Sequence, residues 1–190
     1  MDNGLVDMII NQLKLAGASV VDTEVTGDSR GLFGRLFCKK ELSEVIGKRE
    51  ILNINYSKTL QKGSIRGMHF QYPPMAEMKL VRCIRGAVYD VIIDIRRDSP
   101  TFLEWFGIEL SEKNMKMVII PEGFAHGFQT TEDNSEMLYL HTQFYSKENE
   151  GALNYADPVF RINWPEKITD ISKKDIEHKF IESDFKGIKI

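Results

Sequence analysis

The chain has 190 residues, with 28 acidic against 25 basic side chains and a formal charge of −3. That length fits one domain with a full core and is short for two. The near-balanced charge supplies no broad field for nucleic acid or an anionic membrane, so an anionic ligand must be met by a local cluster of basic groups.

In chain order, "GASVVDTEVTGDSRGLFGRLF" reads as strand, turn, strand, with Gly27-Asp28-Ser29 as the turn, and strands are expected over 1–50. Arg30, just after that turn, is either a two-pronged phosphate clamp or a solvated turn arginine. From Ile51 to about Tyr145, short runs rich in Val, Ile, Phe and Tyr alternate with Gly, Pro, Asn or charged turns, the pattern of an all-β sandwich or barrel. This β body is bounded at about 51–165.

In "IRGMHFQYPPMAEMKLV", Gly67 inside a strand-like run marks a bulge or a close backbone approach that would aim Arg66 and His69 into one cavity. By residue type alone, His69 is a candidate base or a structural histidine. Lys79 is a candidate cation beside it or a solvated lysine at a strand start. "KLVRCIRGAVYDVIIDIRRDSPTF" gives two strands hinged at Arg85-Gly86. Period-two alternation places Val88, Asp90, Ile92 and Asp94 on one face, and Ala87, Tyr89, Val91, Ile93 and Ile95 on the other. Further strands are expected in "WFGIELS", "KMVIIP", "HGFQTT" and "EMLYLHTQFY".

"PEGFAHGF" suggests a tight bend bringing backbone close to a ligand, with His126 as a site residue or a satisfied turn histidine. On the last strand Met137, Tyr139, His141 and Gln143 share a face too polar for plain core, which implies a ligand cavity or a hydrated face. Tyr139 and Tyr145, on or near that row, are candidate acids or core phenols with a bonded hydroxyl. After Trp164-Pro165, Ile176, Phe180 and Ile181 recur at helical spacing, which predicts a short helical tail over about 166–190.

Cys38 and Cys83 form no CxxC pair and read as buried, reduced thiols of a cytoplasmic protein. No leader-like segment, membrane-length apolar run, repeat or low-complexity linker is visible. There is no GxSxG, glycine-rich phosphate loop or dinucleotide fingerprint. A cupin metal site requires a second histidine two residues after the first and a carboxylate soon after. Here Phe70 and Gln71 follow His69 and the next carboxylate is Glu77, so that pattern is broken. A three-histidine site from His69, His126 and His141 stays as an alternative.

Taken in order, nine blocks resemble one family, the RmlC-like cupins or dTDP-4-dehydrorhamnose 3,5-epimerases. They are "DSRGLF", "RGMHFQYPP", "KLVRCIRGAVYDVIIDIRRDSPTF", "LSEKN", "IPEGFAHGF", "MLYLHTQFY", "NEGALNYADP", "INWP" and "ISKKD", spanning Asp28 to Asp175. The resemblance implies a cupin double-stranded β-helix, or jelly roll, with short C-terminal helices. It also implies a homodimer that inverts C3, C5 or both in a nucleotide-linked 4-keto-6-deoxyhexose without metal or other cofactor. Carried over from the family, His69 is the base, Asp175 its partner, Lys79 the enolate-stabilising cation and Tyr139 the acid at C5. Arg30 and Arg66 fall at diphosphate-binding positions, and His126 and Glu150 at other binding positions; Tyr145 joins the binding set.

Arg35 stands where many members carry a glutamate near the nucleotide base, and Asn53 where they carry a glutamine; Asn55 matches. A reversed charge beside the base changes what is recognised there. The runner-up is a single-centre epimerase, at C3 or C5, on a differently based nucleotide sugar. From other classes come a metal-dependent cupin oxygenase using His69, His126 and His141, and a non-catalytic sugar-nucleotide binding cupin.

Overall fold

The computed structural model describes residues 7–190. Two antiparallel sheets face each other. One has six strands, β1 (Met8–Gln12), β2 (Ser19–Thr23), β10 (Met117–Ile120), β7 (Lys79–Arg85), β12 (Ser135–His141) and β5 (Asn53–Thr59), in that spatial order. The other runs β13 (Glu150–Ala152), β6 (Ile65–Gln71), β11 (Phe124–Thr130), β8 (Ala87–Asp94) and β9 (Trp105–Ser111). A separate hairpin, β3 (Val25–Asp28) and β4 (Gly31–Gly34), joins neither sheet. This is the jelly-roll arrangement the block order implies.

Three apolar layers explain why so many strands read as near-continuous hydrophobic runs. Between the sheets, Val20, Val81, Val118 and Met137 meet Val88, Ile92, Leu110 and Phe128. The outer face of the six-stranded sheet, with Val21, Leu80, Met117 and Ile119, is covered by Leu42 and Ile46. The outer face of the five-stranded sheet, with Met68, Val91, Ile93 and Ala125, is covered by Leu153, Phe160 and Ile188 from the end of the chain. Burying both faces of a sheet removes the polar side of the usual alternation.

The alternation on β8 holds: Val88 and Ile92 point between the sheets, while Val91 and Ile93 point to the outer cover. Its two carboxylates part company. Asp90 pairs with His126, a residue of the cavity described below. Asp94, at the far end, accepts from Arg96 at 2.9 and 2.7 Å and from the hydroxyls of Ser99 and Thr101, so it organises the turn towards β9.

Three sequence expectations need correction. The segment expected as strands over 1–50 contains a one-turn helix, α1 (Ser43–Ile46), formed because Leu42 and Ile46 together cap the outer face of the six-stranded sheet. The tail is helical only over α2 (Lys173–Ile176). The Asn154 side-chain amide captures the carbonyls of Ile176 and His178 at 3.3 and 2.6 Å, so the helix does not propagate. Ile176 and Phe180 stay about half exposed, and the tail runs on in extended form to place Ile188 on the sheet. Of the two cysteines, Cys83 is buried and its thiol is pushed up to about 11 by desolvation, whereas Cys38 is only half-buried.

Candidate active site

Between the sheets lies a cavity of about 510 Å³, within the range of small-ligand sites. Its two walls come from different sheets. β6 and β11 supply Arg66, His69 and His126, and the tail adds Asp175 behind them. β5, β7 and β12 supply Asn55, Ser57, Lys79, Tyr139 and His141 from the other side.

Two facing glycines set the first wall. Gly67 has φ +137°, and a Cβ there would sit 2.5 Å from the Gly127 Cα. Only glycine tolerates both the backbone angle and the approach. The register slips between His126 and Phe128, which makes the bulge expected at Gly67 and sets His69 directly opposite His126.

His69 Nε2 lies 2.8 Å from Asp175 Oδ1. Asp175 is buried and also accepts from the Gly67 N–H at 3.4 Å, while the Ser172 hydroxyl caps its own N–H at 3.1 Å. Burial alone would raise this carboxyl. The His69 hydrogen bond and charge, helped by Gly67 and Ser172, outweigh it and hold the carboxyl below its usual value. An ionised Asp175 is an acceptor only, so His69 donates its Nε2–H to it, and when the ring is neutral the lone pair lies on Nδ1. His126 makes the same kind of pair, its Nε2 lying 2.7 Å from Asp90 Oδ2 in a fully buried setting.

On the second wall Tyr139 Oη and Ser57 Oγ are 3.0 Å apart, and burial pushes the phenol well above its usual value, which keeps it protonated. Its ring stacks on His141, with centroids 6.1 Å apart. Lys79 Nζ donates to the His69 carbonyl at 3.4 Å and pairs with Glu77 at 3.4 Å. Glu77 also binds His141 Nδ1 at 2.8 Å. Burial would raise the Glu77 carboxyl, but His141 and Lys79 together bring it below its ordinary value.

Of the sequence-predicted residues, His69, Asp175, Lys79, Tyr139, Arg66, His126 and Asn55 line this one cavity. Arg66 is anchored by its Nε to the Thr59 hydroxyl at 3.0 Å. The others lie outside it. Arg30 is at the tip of the exposed β3–β4 hairpin, folded onto Asp28. Arg35 is ion-paired with Glu41. Asn53 donates to the Gln143 carbonyl at 2.9 Å. Exposed Tyr145 donates to Glu150 at 3.1 Å, and Glu150 in turn holds Lys174, a cavity-lining residue, at 2.7 Å.

The sequence reading missed Ser57, Glu77 and Lys174, and placed His141 on the polar face that implied a cavity without giving it a role other than metal ligand. The signal for Ser57 was there: it alternates with Asn55 on β5. Glu77 lies in an irregular segment, where alternation predicts no direction. For the three-histidine alternative, each ring is held by a different carboxylate, Asp175, Asp90 or Glu77. Among the described residues these three do not converge on one point; the ligand atoms that do lie within 4.8 Å of one another belong to His69, Asp175 and His178.

The family model described as dTDP-4-dehydrorhamnose 3,5-epimerase matches residues 12–183. A protein of that name from Shigella flexneri is 40% identical over 180 residues, covering 94% of this chain and 99% of the relative. A crystal structure of a dTDP-4-dehydrorhamnose 3,5-epimerase from Bacillus anthracis, with TDP and PPi bound, superposes with a TM-score of 0.87 at 34% identity, covering 92% and 99% of the two chains. A second, from Legionella pneumophila in complex with dTDP-4-keto-L-rhamnose, gives a TM-score of 0.87 at 34% identity over 95% and 98%.

Proposed function

The chain belongs to the dTDP-4-dehydrorhamnose 3,5-epimerase family, and from that premise we propose how its cavity inverts carbons beside a ketone. The protein is an isomerase of deoxysugar biosynthesis, acting on a dTDP-linked 4-keto-6-deoxyhexose. The observation that supports the mechanism is the placement of His69 and Tyr139 on walls contributed by different sheets.

Inversion needs a proton taken from one face of the sugar and another returned to the opposite face. His69 takes the proton on Nδ1, and Asp175 stabilises the imidazolium that forms. The pair of electrons left on carbon delocalises onto the ketone oxygen. Lys79 supplies the positive charge there, anchored in place by Glu77, and so acts mainly in the transition state. Tyr139, kept neutral by burial, gives its proton to the carbon from the other side, and Ser57 is bonded to the phenolate that results. Arg66 at the cavity edge takes the diphosphate, with His126 and Asn55 holding the rest of the ligand.

We read residues 7–190 as one domain because the tail that covers the outer sheet face also carries Asp175. A cytoplasmic homodimer is proposed with it. No helix among the described residues is long and apolar enough to cross a membrane. Leu32 and Phe33, at 65% and 62% exposure, lie on a hairpin that pairs with no other strand among the described residues. Two unsupported strands bearing exposed apolar side chains call for a partner surface. A second copy that received this hairpin would also receive Arg30, which supports both the dimer and a diphosphate role for that residue.

The test is deuterium wash-in from heavy water with dTDP-4-keto-6-deoxyglucose, read by NMR at C3 and C5 separately. Label at both carbons, with inverted product, is the expected result. Label at one carbon identifies the single-centre enzyme. None at either, with folded protein, defeats the epimerase mechanism.

A further inference from the structure

We propose that His69, Asp175 and His178 form a binding site for Zn2+ or a similar borderline transition-metal ion, and that filling it switches the enzyme off. His178 takes no part in the chemistry above, yet it is aimed at the dyad. Its Nε2 is buried without a hydrogen-bond partner and lies 4.0 Å from Asp175 Oδ1, beyond hydrogen-bond reach. Its ring meets His69 edge-on, with centroids 6.4 Å apart and planes at 78°. The ligand atoms of the three residues all fall within 4.8 Å of one another.

Two imidazoles and one carboxylate are a donor set that suits zinc and its neighbours in the first transition row, with water completing the coordination. Ligand bonds of about 2.0–2.2 Å require the three atoms to close in by small side-chain rotations. The surroundings favour this. Asp175 is already oriented by Gly67 and Ser172, and the backbone of His178 is pinned through its carbonyl by Asn154 at 2.6 Å. Such outer bonds are what usually hold metal ligands in place. Lys174 on the same wall is neutralised by Glu150 at 2.7 Å. The cavity reaches His69 and Asp175 and gives the ion an entry path.

The inhibition follows from the ring's two nitrogens and rests on the proposed role of His69 as base. An ion on Nε2 displaces the proton that Asp175 accepts. A neutral imidazole coordinated through Nε2 carries its remaining proton on Nδ1, the nitrogen that must hold the lone pair. The metallated histidine therefore has no basic site facing the sugar.

The experiment uses full-length protein stripped with EDTA and desalted, titrated with Co2+ for its visible absorption and with Zn2+ for deuterium wash-in. Wild type is expected to take up one equivalent of Co2+, lose wash-in as Zn2+ binds, and regain it with EDTA. His178→Ala, and His178→Gln as a polar replacement of similar size, should keep metal-free wash-in within about twofold and weaken both metal effects at least about tenfold. Equal Co2+ uptake by wild type and both variants, no stoichiometric uptake, or wash-in that requires metal would each overturn the proposal. Uptake lost in the variants but without any effect on wild-type wash-in would overturn the switch. Wild type that shows no wash-in either stripped or with metal added would defeat the epimerase mechanism instead, while the Co2+ titration still decides the metal site.

Discussion

With Nε2 committed to Asp175, His69 has one nitrogen for chemistry, and an asparagine in its place has none. His69→Asn is expected to lower wash-in at both carbons by at least about a hundredfold, with little change in melting temperature because the side chain is partly exposed. Unfolding of that variant would make His69 structural. Tyr139→Phe keeps the stacked ring and loses only the hydroxyl, at a stability cost of about 1 kcal/mol. It should impair protonation at C5 while C3 still exchanges; equal loss at both carbons would mean that Tyr139 positions the sugar. Acid sensitivity is also set by single residues. Glu77, Asp94 and Asp175 are buried carboxyls held below their ordinary values by their partners, against the opposing pull of burial. A depressed folded value means that the unfolded chain binds protons first as pH falls. The three contributions are complete above roughly pH 4.5 and are lost as pH drops through about 4 towards the folded values. Thermal denaturation from pH 7 to 3 should show a flat plateau and then a steep fall, and Asp94→Asn should flatten the fall. An unchanged acid limb in that variant would remove Asp94 from the explanation.

At the level of strands, the contact between β6 and β11 positions the histidines. A methyl group added by Gly67→Ala meets Gly127 backbone at 2.5 Å at an unfavourable φ. It should destabilise the fold by at least about 2 kcal/mol in chemical denaturation and slow wash-in by separating His69 from Asp175. A stable, fully active variant would show that the close approach is dispensable. The strands themselves were legible because alternation on β8 and β12 reflects real faces, one towards the other sheet and one towards an apolar cover. The cover was not. Residues of α1 and the tail are held by tertiary contacts with Leu42, Ile46 and Ile188, so local spacing carries little information about them. Ile176 happens to fall four and five residues before the adjacent Phe180 and Ile181 without the three forming a helix face.

For the molecule as a whole, Arg30 poses a clear question, since it lies outside its own chain's cavity, at the tip of the β3–β4 hairpin. If the proposed homodimer shares Arg30 across subunits, mixing Arg30→Ala with His69→Asn protein under conditions of subunit exchange should restore about a quarter of wild-type activity, the share expected when half the dimers are mixed and each holds one intact site. No restoration would place Arg30 in its own subunit's site or outside any. The cavity was readable in the sequence only where residues sit on regular strands or in an ordered motif block, as with His69, Lys79 and Tyr139. Glu77 escaped because it lies in an irregular segment and reaches His141 64 positions away, and His178 because it lies just past α2, in a stretch without a regular period.

The His69–Asp175 bond joins residues 106 positions apart, which has a consequence in time during synthesis. At roughly 5–20 residues per second, a growing chain carries its histidine for several seconds before the aspartate has even been translated. Until then Asp175 cannot fix the imidazole's tautomer, so on the proposed mechanism an unfinished polypeptide is expected not to rearrange the sugar nucleotides around it. On the proposed roles, competence waits for the segment that carries Asp175, which follows β13, the last strand of the two sheets.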